Sequence, residues 1–440
     1  MRIIIPPASI FHQIVGKQKR SEGQARRLMT YVMQCPVEDG GLFYHTLTCC
    51  MLLLTQEEAS HITDQQELMD LWFVVTEGLD DRKFCDQTRQ LASMLLPPSK
   101  GITDYTILTT TSCNARCFYC YEKGTAPLSM TAETADKVIR YMMGHRRDEK
   151  VKIRWFGGEP LTNVGVIDQI CTDLSLHQVP FESSMISNGF LFDAGMVRRA
   201  KELWRLQQVK ITIDGLEKTY NRVKNYVYDK ENAFLRVLGN IELLTAEGID
   251  VIIRLNVDKY NIDEMSQLVS LLHQQFGSNK HLGVYSHVLF GERTPENRST
   301  LFEQRMSLEK RIVESGFKLM RELQRGIKLN CCMADNDNSV VISPDGHLGK
   351  CEHYCDRAFF GHIDSAERDE TILRRFKERP ADIAACATCP YYPQCFRLVM
   401  CEDGSSCTPE VQKENLHNTI EAMKDAYQKY LNQNKHETEI

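Results

Sequence analysis

Three cysteines fall within one eight-residue stretch, Cys113-Asn114-Ala115-Arg116-Cys117-Phe118-Tyr119-Cys120, at C-x3-C-x2-C spacing. Thiolates this close repel one another unless a cation or a cluster neutralises them. Iron–sulfur cubanes are held by cysteine thiolates, ordinarily four. Three ligands leave one iron without a protein donor, the kind of open position a catalytic metal needs. The plain alternative is three unconnected core cysteines, since free Cys packs as a small apolar residue. Tripling within so short a stretch argues against it. A second block runs from Cys331-Cys332 through Cys351 and Cys355 to Cys386-x2-Cys389-x5-Cys395-x5-Cys401-x5-Cys407. Its C-x2-C pair is also a structural-zinc pattern. The other five cysteines, Cys35, Cys49, Cys50, Cys85 and Cys171, are scattered and read as ordinary apolar residues.

The elements that must position the first motif alternate between strand and helix patterns. Strands are expected at 105–110, 151–156, 182–187, 209–213, 250–257 and about 281–289. Helices are expected between them at 131–144, 163–177, 193–206, 231–246 and 261–276. Six strands alternating with helices imply a parallel sheet. The cysteines then leave the C-terminal end of the first strand, where α/β sheets and barrels place their chemistry. After the second strand come Gly157-Gly158-Glu159-Pro160, where glycines permit close backbone approach and the Glu can accept from an ammonium. Ser187-Asn188-Gly189 follows the third strand and Asp214-Gly215 the fourth, while Arg254 and Asn256 lie on the fifth. The plain reading of Arg254 and Asn256 is packing and hydrogen bonding inside a barrel.

Around this region, residues 1–98 suggest strands at 42–48 and 50–54, then a helix capped by Thr55 with an acidic first turn. Further helices are expected near Gln65–Leu71 and at Arg82–Leu95, with Pro97-Pro98 as a linker. A strand pair with short helices suggests a small winged-helix-like α+β domain; a cap that merely shields the barrel is the alternative. Residues 99–300 form the barrel region, 301–329 a connecting helix, 330–410 the cysteine block and 411–440 a C-terminal helix. Within these, 300–324 has an amphipathic helical pattern, 339–350 reads as a hairpin turning at Pro344-Asp345-Gly346, and 409–433 is a polar helix. A net charge of −6 supplies no general attraction to nucleic acid. The N-terminal apolar run is too short for a signal peptide, and no run is long enough to span a bilayer. A cytoplasmic enzyme is expected. There thiols stay reduced, so the clustered cysteines argue for metal rather than disulfides. Exposed iron–sulfur clusters imply oxygen sensitivity and an anaerobic host.

The octapeptide resembles the signature of the radical S-adenosylmethionine (SAM) superfamily, C-x3-C-x-aromatic-C, with Tyr119 at the aromatic position. The resemblance implies a partial (β/α)6 TIM-like barrel in which Cys113, Cys117 and Cys120 hold a [4Fe–4S] cluster. SAM would chelate the open iron and be cleaved to methionine and a 5′-deoxyadenosyl radical that takes a hydrogen atom from substrate. It further implies that Gly157, Gly158 and Glu159 bind the methionyl amino group and that Ser187 and Asn188 contact SAM. Arg254 would approach the SAM carboxylate, and Arg222 would fill the family's Arg position after Asp214-Gly215. The later cysteines resemble a SPASM domain with two auxiliary [4Fe–4S] clusters, making three in all. Cys386, Cys389, Cys395 and Cys407 would hold the distal one. Cys351, Cys401 and Cys332 (or Cys331) would hold the proximal one, with Cys355 or Cys331 as a fourth ligand or the site left open. The five residues between Cys395 and Cys401, where the family usually has three, put the role of Cys401 in question. Glu352, directly after Cys351, would be a general base, as in sulfatase-maturing relatives, or a hydrogen-bonding neighbour of a cluster. The implied activity is maturation of a ribosomally made precursor peptide, bound through its leader by residues 1–98, with a thioether crosslink as first choice. The alternatives are a carbon–carbon crosslink, formylglycine formation by an anaerobic sulfatase-maturing enzyme and, more remotely, a non-catalytic zinc protein. A flavodoxin or ferredoxin-type reductant is implied as electron donor; nucleic acid and membrane are not expected partners.

Overall fold

The computed structural model describes the chain except for residues 19–22, 96–100, 148–149, 229–231, 278, 290–294, 318–321, 355–356, 402–406 and 439–440. Cys355 and the Pro97-Pro98 linker therefore lie outside the described residues. Contacts divide the chain into two compact units. One comprises Met1–Pro98, Arg321–Cys331 and Arg379–Ile440; the other comprises Ser99–Met320 and Cys332–Glu378. This division cuts through the expected 330–410 block. Cys332 and Cys351 go with the barrel strands, and the remaining described cysteines of the block go with the N-terminal residues.

The first unit begins with β1 (Arg2–Ile5), α1 (Ser9–Val15), β2 (Arg26–Leu28), β3 (Val32–Val37), β4 (Gly40–His45) and β5 (Met51–Leu54). It continues with α2 (Gln56–Ser60), α3 (Gln66–Asp70), β6 (Val74–Thr76) and α4 (Asp81–Leu95). The strand order β1-β5-β4-β3 makes an antiparallel sheet, and β2 pairs with β6. Thr55 and Glu58 close a capping box on α2, each side chain accepting from the other's backbone N–H, at 3.2 and 2.9 Å. The strands β1, β2 and β3 escape the sequence pattern because each is short or interrupted; Pro36 sits within β3. Strand β5 is buried throughout, because alternate residues face two cores. Leu52 and Leu54 join Phe11, Phe43 and Phe73, whereas Met51 and Leu53 join Met33, Tyr44, Met423 and Tyr427. The second set couples the N-terminal sheet to the C-terminal helix Pro409–Thr438. Gln394 Nε2 donates to Tyr44 Oη at 2.7 Å and to the Thr46 carbonyl at 2.9 Å, fastening the cysteine-bearing segment to the same sheet.

The second unit is built on β7 (Asp104–Thr110), α5 (Ala132–His145), β8 (Val151–Gly157), α6 (Val164–Leu176), β9 (Phe181–Ser187) and α7 (Ala194–Glu202). Then follow β10 (Leu206–Ile213), α8 (Glu217–Lys224), α9 (Ala233–Ala246), β11 (Asp250–Val257), α10 (Ile262–Phe276), β12 (Leu282–Val288) and α11 (Pro295–Glu314). Strands β7 to β12 lie side by side in chain order, all parallel. The helix expected at 193–206 ends at Glu202, because Leu206 already belongs to β10, and α8 was not anticipated. The helix expected at 300–324 runs instead from Pro295 to Glu314. The hairpin β13 (Ser339–Ile342) and β14 (His347–Gly349) forms as expected, and β13 also pairs in parallel with β7. That pairing explains why Cys332 and Cys351 go with the barrel strands. Residues such as Ile107, Trp155, Met185, Ile211 and Ile253 bury one sheet face against the helices. Their alternates, Thr106, Arg154, Ser184, Lys210 and Arg254, occupy the other face. Among the described residues no helix is long and apolar enough to cross a membrane.

Candidate active site

The end of β7 and the end of β8 run into one another. Gly158 N donates to the Thr110 carbonyl at 3.0 Å, and Glu159 N to the Ser112 carbonyl at 2.9 Å. A Cβ on Gly157 (φ +128°) would stand 2.1 Å from the Thr110 carbonyl oxygen, and one on Gly158 would stand 2.4 Å from that of Ser112. Both contacts are with backbone, which cannot yield. The two glycines thus let the strand ends touch. This contact sets Glu159 beside the root of the cysteine loop.

Cys113, Cys117 and Cys120 are each partly buried. Burial pushes the Cys113 thiol up to about 12, with Glu159, Cys117 and Cys120 adding to the shift and the Ala115 N–H opposing it. The thiols therefore disfavour one another's ionisation, as their spacing implies, and a cationic centre relieves that repulsion. Among the described residues no group of three or more Cys, His, Asp or Glu side chains is gathered tightly enough for a single metal ion. A cubane takes one thiolate per iron, so a three-thiol loop suits it as a donor set. Asn188 Nδ2 reaches back to the same loop, 2.6 Å from Asn114 Oδ1 and 3.8 Å from Cys113 Sγ.

Glu159 is wholly buried. Its carboxylate accepts from Ser187 Oγ at 2.9 Å and from Asn188 N at 2.8 Å. Burial pushes the acid up to about 7, and these hydrogen bonds, with one from Leu161 N, pull the other way. Glu159, Ser187 and Asn188, named from two separate stretches of sequence, thus form one cluster beside Cys113.

Tyr119 faces the opposite side of the loop. Its hydroxyl donates to Asp214 Oδ1 at 2.7 Å and accepts from Asn256 Nδ2 at 3.1 Å. Arg222 is exposed on α8. The buried cation beside Asp214 is Lys224, whose Nζ lies 3.0 Å from Asp214 Oδ2. Burial works most strongly against its charge, but Asp214, Tyr119, Cys117 and Tyr220 together outweigh it and hold the ammonium well above its ordinary range. Sequence reasoning missed Lys224; its spacing from Asp214 was visible, its burial was not.

Along the inner sheet face, Lys210 is lowered first by burial and then by Arg154 and Arg254, with Glu352 opposing. Glu352 neighbours this face of the sheet. It borders a cavity of about 580 Å³ whose walls include Arg154, Ser184, Gln208, Cys332 and Met333. The neighbouring His353 stacks on Tyr121 at 4.3 Å, so the turn after Cys351 meets the residue after Cys120. Cys332 acts on the buried Lys350, the residue before Cys351. In the other unit, burial raises the Cys395 thiol, Arg397 opposes, and Cys407, Cys389 and Cys386 add to the rise. Cys331 donates from Sγ to the Phe396 carbonyl at 3.3 Å.

Residues 107–272 match the family model described as the Radical SAM superfamily. An uncharacterized protein of Methanocaldococcus jannaschii, MJ0907, is 27% identical over 175 residues, 39% of this chain and 59% of the relative. A GTP 3′,8-cyclase of Clostridium perfringens is 24% identical over 56% of this chain and 80% of the relative. The sporulation killing factor maturation protein SkfB of Bacillus subtilis is 24% identical over 37% of this chain and 38% of the relative. The chain thus spans less than two thirds of two of these three relatives. Among solved structures, native anSMEcpe with bound AdoMet and Kp18Cys peptide superposes with TM-score 0.56 at 15% identity, covering 75% of this chain and 98% of that one. Streptococcus suis SuiB bound to precursor peptide SuiA superposes with TM-score 0.51 at 10% identity, covering 84% and 94%.

Proposed function

We propose, from the match of residues 107–272 to the Radical SAM superfamily, that this enzyme is a radical SAM peptide maturase that crosslinks a ribosomally made precursor, with a thioether as product. The observation that carries the SAM chemistry is the meeting of the three-cysteine loop with the buried Glu159–Ser187–Asn188 cluster at the strand ends. Cys113, Cys117 and Cys120 would hold the cluster, which when bound supplies the electron that cleaves SAM. Glu159 would receive the methionyl ammonium. Asn188 would fix the loop relative to that carboxylate, and Arg254 would meet the SAM carboxylate. Glu352 is the proposed base, since it neighbours the same sheet face as Arg154 and Lys210.

A peptide substrate is the choice because solved proteins of this fold include peptide-bound ones and SkfB is a maturation protein. The N-terminal sheet favours a leader-binding, winged-helix-like role: three antiparallel strands β3–β5 precede the helices α2, α3 and α4. The outer edge of β5 is already taken by β1, so a leader strand would add at β1 or β3. For the auxiliary, SPASM-like clusters, the mutual influence of Cys386, Cys389, Cys395 and Cys407 supports their assignment to one site. Cys332 and Cys351, which lie together in the unit of the barrel strands, are assigned to the other. The setting proposed is an anaerobic cytoplasm with a flavodoxin or ferredoxin-type reductant.

The deciding experiment is anaerobic incubation of the reconstituted enzyme, SAM and dithionite with each short Cys-containing peptide that sequencing of the flanking reading frames reveals, read by mass spectrometry. A thioether removes a hydrogen pair and protects one Cys from alkylation. A carbon–carbon link removes the pair but leaves every Cys alkylatable. Conversion of Cys to formylglycine in a sulfatase peptide moves the assignment to the rival, and zinc without iron ends the radical reading.

Glu159 also sets a pH dependence. Its acid, near 7 when buried, must be ionised to receive an ammonium. Below that value SAM binding must expel a proton, so affinity rises with pH. The SAM dissociation constant should fall by up to about tenfold from pH 5.5 to 6.5 and level off above 7.5. Glu159→Gln should bind more weakly with a flat profile. Equilibrium dialysis with labelled SAM measures both, and a flat wild-type profile would remove Glu159 from the site.

A further inference from the structure

We infer that Lys224 is a positioning residue for the cluster loop, holding Tyr119 and the backbone before Cys117 in place from beneath. The inference rests on the reading that Cys113, Cys117 and Cys120 carry the cluster. An ammonium has three N–H donors. Lys224 donates to the Tyr119 hydroxyl on the cysteine loop at 3.1 Å and to Thr212 Oγ1 on β10, and its Nζ forms an ion pair with Asp214 Oδ2, just after β10, at 3.0 Å. Lys224 is only 2% exposed and Asp214 1%. Asn256 on β11 closes the group, donating to Asp214 Oδ1 at 2.9 Å and to the Tyr119 hydroxyl at 3.1 Å. Asn261 Nδ2 in turn donates to the Asp214 and Asn256 carbonyls, at 2.9 and 2.8 Å.

The backbone of the same residue makes a second hold. Lys224 ends α8, and its carbonyl accepts from Arg116 N at 2.8 Å. Two residues beyond the αL cap Asn225, Val227 N donates to the Asn114 carbonyl at 3.0 Å. The end of α8 is thereby laid along Asn114–Arg116, between the first and second ligands, while its ammonium grips Tyr119 between the second and third. A loop bearing three thiols that repel one another would otherwise splay when empty. The network lies within the unit that carries the site and makes no direct bond through Nζ to a cysteine, so its role is to shape the loop rather than to ligate.

The test uses the full chain, purified and reconstituted anaerobically, as wild type, Lys224→Met, Lys224→Arg and Tyr119→Phe. The readout is the electron paramagnetic resonance spectrum of the dithionite-reduced protein with and without SAM, since only the SAM-binding cluster responds to the ligand. Melting temperature is followed in parallel. Lys224→Met is expected to lose at least tenfold of the SAM-responsive signal, and Lys224→Arg to recover most of it by keeping the charge. Tyr119→Phe deletes only the hydroxyl and should lose the signal several-fold with its melting temperature unchanged, which answers the case in which Lys224→Met does not fold. A wild-type signal retained in both Lys224→Met and Tyr119→Phe overturns this inference alone. A wild-type chain with no SAM-responsive signal overturns the cluster reading beneath it.

Discussion

Replacing Cys117 with alanine in the full chain should reduce SAM cleavage to background, a loss of more than about a hundredfold. Even disturbing an outer partner of a metal ligand typically costs on the order of 10- to 100-fold, and Cys117 is one of only three thiols on its loop. Neither neighbour can substitute for it. Arg116 is tied through its backbone to Lys224, and Phe118 offers no donor. The matched control is Cys171→Ala. Cys171 is fully buried on α6 in the helix-side core, away from the loop, and its loss should leave cleavage within about twofold while costing on the order of 1 kcal/mol of stability. Chromatography of 5′-deoxyadenosine and methionine after dithionite reduction measures the pair. Retention of a tenth or more of wild-type cleavage by Cys117→Ala would remove the loop from the chemistry.

Deleting residues 1–95 should do more than remove a recognition element. The strands lost carry Met33, Tyr44, Met51 and Leu53, the apolar face against which Met423 and Tyr427 pack. The deletion also removes Tyr44 on β4 and Thr46 just after it, the partners of Gln394, and Arg89, which donates to the Tyr392 carbonyl at 3.0 Å. Without these supports the segment bearing Cys386, Cys389, Cys395 and Cys407 has no core of its own. Under the proposed assignment of an auxiliary cluster to that segment, the shortened chain is expected to lose that cluster's iron and keep the iron proposed for Cys113, Cys117 and Cys120. Amides of the helix Pro409–Thr438 should exchange close to unprotected rates. Iron analysis and hydrogen exchange by mass spectrometry give both readings. A truncated chain with its full iron complement and a protected C-terminal helix would show that the two ends fold independently. Loss of peptide modification on truncation consequently has two causes, and leader binding is better probed by substitutions along β1 or β3 in the intact chain.

Much of this protein is legible from local pattern. The alternation of apolar strands with amphipathic helices recovers β7 to β12 to within a few residues, because burial against helices imposes a period that any window of sequence displays. The cysteine loop, GGE and Ser187-Asn188 are contiguous motifs whose order along the strands places them at the same end of a parallel sheet. The structure brings Glu159, Ser187 and Asn188 into contact as that order requires. The N-terminal strands were less legible. A strand such as β3 owes its existence to partners across the sheet, and its own residues, with Pro36 among them, carry little signal.

By itself, then, the sequence determined the spacing of the cysteines, the strand order and the end of the sheet at which the polar motifs collect, since spacing and periodicity are local properties. Tertiary structure alone decided three matters. It made Lys224 the partner of Asp214 and left Arg222 exposed, because residues two apart on a helix point to different sides and only packing says which side is inward. It showed that Gly157 and Gly158 serve the approach of two strand ends, a steric demand visible only when both backbones are in place. And it divided the later cysteines between two units, because β13 found its partner in β7 while the chain beyond Arg379 found its core in strands more than three hundred residues earlier. Those choices are set by contacts between distant segments, and no local stretch of the chain encodes them.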